Sequence, residues 1–253
     1  MSMYLTTPWI ILAIAGFCAG VVNVVAGGGG FLTFPALLLT GLDPRAANIT
    51  STVGLYPMQV TTGYAGRKHL TGTPHLSFRT LMILSLFGGA IGAGLLLCTS
   101  SQFFGKLVPW LVLFATAMFA IGSFRKTKAA DARHRLGKIG SIIVHFLISI
   151  YVGYYGGGAG FLMLASLTMA GMPVRPANAA KIILVTLMNT SALIIFLFSK
   201  EIYWMQALVV CIASEIGSHV VGVRLLNAVN DRVMRIGIIA FGTALSVWLF
   251  VRA

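Results

Sequence analysis

The chain has 253 residues, 58% of them hydrophobic and only 9% charged, with a mean hydropathy of +0.93. A soluble domain carries roughly 25% charged residues, so this composition excludes the globular class and leaves no segment able to fold as a separate soluble domain. The formal charge of +13 reads as the loops of a membrane protein rather than a nucleic-acid surface, because Lys and Arg concentrate in the connecting segments.

Ten apolar blocks are predicted in chain order. Pro8–Ala26 comes first; no Lys or Arg precedes Pro8, so the charged start of a secretory signal is missing and the block reads as a retained membrane helix. Four glycines, Gly27, Gly28, Gly29 and Gly30, then interrupt the apolar run before the short block Phe31–Leu42. Ala46–Ala65, Leu76–Cys98 and Leu107–Phe124 follow. The longest polar stretch, with Arg125, Lys126, Lys128, Arg133, Arg135 and Lys138, separates these from Ile139–Tyr155, Phe161–Met172, Ala177–Phe198, Tyr203–Leu226 and Val233–Val251. Eight blocks are long enough to span a bilayer; the two that follow glycine runs have half-spanning or re-entrant length. Cys18, Cys98 and Cys211 lie in apolar blocks without C-x-x-C spacing and read as packing residues.

The blocks occur in the same order twice. A shift of 130 residues lays Gly27–Leu32 on Gly157-Gly158-Ala159-Gly160-Phe161-Leu162, and Arg45, Ala47 and Asn48 on Arg175, Ala177 and Asn178. Ten of the twenty-five positions from Gly27 to Ser51 are identical at this shift. Apolar composition makes Leu and Ala matches cheap but does not account for paired Arg and Asn. The expected fold is therefore an all-α integral membrane protein with a first repeat over residues 1–124, a basic cytoplasmic connector over 125–138 and a second repeat over 139–253. With the connector inside, inverted halves also place Arg67, Lys68, Arg175, Arg224, Arg232 and Arg235 inside, so charge favours inverted over parallel repeats.

Backbone freed from a helix within hydrocarbon costs several kcal/mol per unpaired group, so such breaks survive only inside protein or beside a water-filled cavity. Amides freed at Gly27–Gly30 and at Gly157, Gly158 and Gly160, with the helix start that follows, can bind an anion; tight packing through small residues is the alternative. Asn48, Ser51 and Thr52 share one helical face. Asn178 leads into Lys181, which occupies the register position of Ser51. An amine inside an apolar block marks a functional site or a lysine reaching for the interface from a helix end. Gln59 and Asn189 match at the 130 shift and would line a cavity or hydrogen-bond between helices. Arg45 and Arg175 read as interface anchors. Glu215, the acid well inside a block, has His219 one turn later, an arrangement suited to proton coupling or to locking two helices together.

The glycine run with Phe31 and Pro35, the second run ending in Phe161, the Ala177-Asn-Ala-Ala-Lys181 segment and Asn189 together resemble the sulfite exporter TauE/SafE family of bacterial membrane permeases, over essentially the whole chain. Two departures stand out: Ala165 replaces the proline of the first repeat, and Ala159 interrupts the second glycine run. The resemblance implies transport of small sulfur-containing or carboxylated anions, such as sulfite or organosulfonates, across the inner membrane, often outward. The expected protein is a multi-pass secondary transporter without cofactor, metal or catalytic set, partnered by a small anionic solute and membrane lipid, not by nucleic acid, and compatible with a homo-oligomer. A passive anion channel is the alternative; a membrane-embedded enzyme would need a catalytic constellation that the sequence does not contain.

Overall fold

The computed structural model describes residues 2–25, 27–66, 71–124, 137–222 and 231–252, and every regular element among them is helical. In chain order these are α1 (Ser2–Val25), α2 (Gly30–Leu39), α3 (Pro44–Gly66), α4 (Phe78–Cys98), α5 (Ser101–Phe124), α6 (Lys138–Tyr154), α7 (Ala159–Met169), α8 (Val174–Leu197), α9 (Trp204–Ile216, continued as a π-helical turn over Gly217–Gly222) and α10 (Asp231–Arg252). The short helices have the same boundaries chemically. Each follows glycines with positive φ, Gly27 (79°) and Gly158 (73°), and each is stopped by another, Gly41 (92°) and Gly171 (90°). Glycine is favoured there because a Cβ penalises left-handed backbone. Most of the expected connector, residues 125–136, lies outside the described residues, as do Arg67, Lys68 and Arg224.

Among the described residues, five helical stretches are long and apolar enough to cross a membrane: Thr7–Val24, Phe78–Cys98, Ser101–Ile121, Pro176–Leu197 and Trp204–Val221. The eight full-length spans expected from block length exceed this set for three reasons. Helix α3 has the length but carries Asn48, Thr50, Ser51, Thr52 and Gln59. Helix α6 stops at 17 residues, where the second glycine break begins. In α10 the apolar stretch described is Ile239–Val251. The cysteines are free thiols, and Cys18 and Cys98 lie exposed on helix surfaces rather than in the packed interior.

Contacts along the helices set their directions. Helix α3 meets α9 in ascending order, Thr50 with Tyr203, Gly54 with Val210 and Thr61 with Glu215, so the two run parallel. Helix α1 also runs parallel to α9, with Gly16 against Val210 and Gly20 against Ser214. Helix α6 runs parallel to α4, with His145 on Ser85, Ser149 on Gly88 and Tyr154 on Gly92. Glycines on α1 and α4 allow this close approach, as is usual where helices pack without a hydrophobic driving force between them. Arg45 at the start of α3 bonds the carbonyls of Leu97 and Thr99 at the end of α4, so α3 and α4 are antiparallel. Helices α3 and α8 are antiparallel too: Arg45 meets Glu201 beyond the end of α8, Tyr56 meets Thr190, and Gln59 meets Asn189 and Thr186.

Helix α2 turns back along α1, placing Gly29 against the backbone of Ala19. The α1–α2 hairpin thus enters from the face where α3 begins, and the α6–α7 hairpin enters from the opposite face. Their tips meet. The Gly160 amide donates to the Gly27 carbonyl at 3.0 Å, and a Cβ built on Gly30 would lie 3.7 Å from the Gly157 Cα. Around this crossing Phe34 packs edge-on against Tyr155 at 5.8 Å between ring centroids, and Phe104 packs on Tyr154 at 5.5 Å.

The tip-to-tip contact predicts different costs for two glycine substitutions. Gly41→Ala adds a Cβ at positive φ in open space and should cost roughly 1 kcal/mol. Gly27→Ala adds the same strain and sets its Cβ 2.7 Å from the Gly160 Cα; it should cost roughly 2–4 kcal/mol. Thermal melting of the two variants in detergent, side by side, checks the difference.

Candidate functional site

Where the hairpin tips meet, two small chambers lie side by side, each of about 20 Å³. That is room for roughly one water-sized body. Asn23, Gly27, Gln59 and Val185 wall both chambers. The first is completed by Gly29 and Gly30 from the α2 start, by Asn48, Ser51 and Thr52 from α3, and by Tyr155, Gly156 and Asn189 from the second half. The second is completed by Gly160, Ile182 and Lys181. Among the described residues, neither wall contains Asp or Glu.

The polar wall of α3 follows from helical spacing: Asn48, Thr52, Leu55 and Gln59 recur at three and four residues and so form one stripe. Several of these side chains are committed to neighbours. Asn48 donates from Nδ2 to the Tyr154 carbonyl at 3.1 Å, and Thr52 donates to the Asn48 carbonyl at 3.0 Å. The Ser51 and Thr33 hydroxyls are 2.6 Å apart. At the centre, Asn189 Nδ2 donates to Gln59 Oε1 at 2.7 Å. The two amides matched by the 130-residue register are therefore bonded to each other, and both also face the first chamber.

Three groups are left over. Lys181 is 1% exposed, reaches the second chamber, and makes no hydrogen bond or ion pair with any described residue. The Tyr155 hydroxyl and Asn189 Oδ1 are buried without a described hydrogen-bond partner, and both residues line the first chamber. Burying a polar group without a partner costs of order 1–3 kcal/mol, and an isolated charge costs more. The amine lines the second chamber and Tyr155 the first, so the adjoining chambers each hold a donor suited to a solute that supplies acceptor atoms.

The remaining sequence-derived residues sit around this centre. Gly28 is buried against the Phe161 ring, and Gly158 caps α7 beside Phe31 and Ala115. Gly157 lies beneath the Tyr155 ring and faces Gly30. Asn178 stands one turn before Lys181 on α8 and lies outside both chamber walls. Glu215 and His219 are also outside them: Glu215 Oε2 is 3.0 Å from His219 Nε2 and accepts from the Thr61 hydroxyl at 3.2 Å, while the His219 side chain is 54% exposed. His145 is buried between α4 and α6, with Nε2 3.0 Å from the Ser85 hydroxyl and 3.1 Å from the Leu81 carbonyl.

Asn23 and Tyr155 are chamber residues that sequence reasoning missed. Asn23 carries a readable signal, an amide inside an apolar block one turn before the glycines; its Nδ2 donates to Met58 Sδ at 3.3 Å. Tyr155 closes an apolar block and is indistinguishable there from a packing aromatic.

The known proteins that this chain resembles are transporters by description. It is 29% identical over 218 residues to a "Probable membrane transporter protein" of Haemophilus influenzae, covering 83% of this chain and 82% of the relative. It is 29% identical over 242 residues to "Probable membrane transporter protein ORF9" of a Sinorhizobium species, covering 94% and 90%. It is 26% identical over 254 residues to "Probable membrane transporter protein YfcA" of Escherichia coli K12, covering 98% and 92%. No solved structure matches significantly. The family model described as "Sulfite exporter TauE/SafE" matches residues 12–249, a span that holds both glycine-tipped hairpins and every chamber residue, so the chain belongs to the sulfite exporter TauE/SafE family.

Proposed function

We propose that the protein is a secondary transporter that carries a small anion across the bacterial inner membrane by alternating access. The solute is sulfite, an organosulfonate or a related sulfur-containing or carboxylated anion. One observation carries the reading: the starts of two short helices and the buried amine of Lys181, which has no partner among the described residues, converge on two adjoining chambers whose described walls hold no carboxylate. Helix starts concentrate partial positive charge, and the amine adds a donor, so the pocket attracts anions and disfavours cations. Gly27–Gly30, Gly157, Gly158 and Gly160 supply the backbone; Asn48, Ser51, Thr52, Gln59, Asn178, Lys181 and Asn189 supply side chains at or near the solute.

The antiparallel course of α3 and α8, which hold matching register positions, supports an inverted repeat. In that topology α3, α4, α5, α8, α9 and α10 cross the membrane and the two hairpins enter from opposite faces, their tips meeting near the midplane. The basic connector places the end of α5 and the start of α6 on the cytoplasmic face. Matched hairpins around a central site are the arrangement in which one half can rock against the other. The Glu215–His219 pair is read as a proton-coupling element, because a carboxylate and an imidazole stand 3.0 Å apart, within hydrogen-bond reach.

Uptake into proteoliposomes across a panel of sulfite, sulfonates and short carboxylates, with and without a pH gradient, tests the reading. Saturable movement of one anion that is accelerated by counter-flow is expected; conductance without counter-flow would make the protein a channel. Lys181→Met should abolish that transport and, without solute, raise thermal stability by roughly 1 kcal/mol or more by removing a buried amine that has no partner among the described residues. Lower stability without a change in anion affinity would make Lys181 structural. Glu215→Gln should retain transport but lose its acceleration by the pH gradient.

A further inference from the structure

At the face where α3 begins, one guanidinium ties together three corners of the chain. Arg45 donates from Nε to Glu201 Oε2 at 2.8 Å and from Nη2 to Glu201 Oε1, a two-point pair with the α8–α9 corner. Its Nη1 donates to the carbonyls of Thr99 at 2.8 Å and Leu97 at 3.3 Å, in the α4–α5 corner. Its own helix start is held by Asp43 Oδ1, which accepts from the Arg45 amide at 3.1 Å and from the Ser101 hydroxyl. One turn deeper, the Tyr203 amide donates to the Thr50 hydroxyl at 3.2 Å and closes α9 onto α3.

Arg45 is also the outermost rung of the stripe that lines the pocket. Positions 45, 48, 52, 55 and 59 recur at three and four residues, which puts Arg45 on the face of α3 that carries Asn48, Thr52 and Gln59 into the first chamber. The pair therefore stands directly outward of the chamber, between it and the α3-start face. Planar two-point pairing with a carboxylate is directional and stronger than a neutral hydrogen bond, yet both partners keep about a quarter of their side-chain surface exposed, 24% and 26%. Such a pair can part and find water again, as a gate requires and a fully buried ion pair does not permit. The narrowness of the chambers fits a state closed on this side.

We propose that Arg45 and Glu201 form a latch that shuts the pocket from the face where α3 begins, and that solute exchange with that face requires the pair to separate. This rests on the alternating-access reading above. A cysteine placed at Ser51, in a protein whose Cys18, Cys98 and Cys211 are replaced by alanine, reports on access. Its labelling by a membrane-impermeant methanethiosulfonate is followed separately from each face, in right-side-out and inverted vesicles. Glu201→Gln leaves Arg45 its carbonyl partners and should raise the labelling rate from the α3-start face about tenfold, the order expected on weakening a hydrogen bond to a charged group. The exchange Arg45→Glu with Glu201→Arg should return the rate toward the slow value, which a loosened fold would not do. An unchanged rate in Glu201→Gln, or an equal rise from both faces, overturns the latch. The measurement needs no solute, so its failure leaves the anion site standing, and a failed anion panel leaves the latch result readable.

Discussion

Backbone pairing at membrane depth is the constraint on which this architecture depends. Two helices are broken inside the helix bundle, where freed N–H and C=O groups need partners from the protein or from a cavity. The breaks are tolerable because each hairpin tip lies against the other, and one interrupted strand of backbone completes the other through the Gly160–Gly27 hydrogen bond. Glycine is required at position 27: its backbone is left-handed, and a Cβ there would lie 2.7 Å from the Gly160 Cα. The long helices then pack around this crossing through further glycines, at Gly20, Gly88 and Gly92.

The crossing also explains why the polar residues lie where they do. Helices α3 and α8 pass on either side of the tips, and their polar positions face inward toward the crossing. Gln59 and Asn189 close on each other near the centre. The two halves contribute unequally around this shared framework. Ser51 is hydrogen-bonded to Thr33, whereas its register counterpart Lys181 has no partner among the described residues. Tyr155 has Val25 as its counterpart, so its hydroxyl is likewise supplied by one half alone. The two halves thus place an unequal set of donors around the chambers.

Much of this was legible in the residues. The ten apolar blocks fall on the ten helices, because a lipid-facing helix must be apolar over its length. The 130-residue register pairs Gln59 with Asn189, which hydrogen-bond to each other, and Gly27 with Gly157, although Gly27 bonds instead to Gly160. Other features were not legible. That α2 folds back along α1 is a choice made by packing at Gly29 that no hydropathy window records. Arg45 read as an interface anchor, since the sequence does not show that Glu201, 156 residues away, comes to meet it. Tyr155 looked like any aromatic at the end of an apolar run.

By itself the sequence determined the membrane class, the repeat and the glycine breaks, because these are local properties of composition and spacing that hydrocarbon imposes on any chain. Only the tertiary structure decided which broken ends face each other, which polar groups find partners and which are left open to a pocket. Those outcomes depend on helix direction and on contacts between residues far apart in the chain, where a one-residue change of register would pair different atoms.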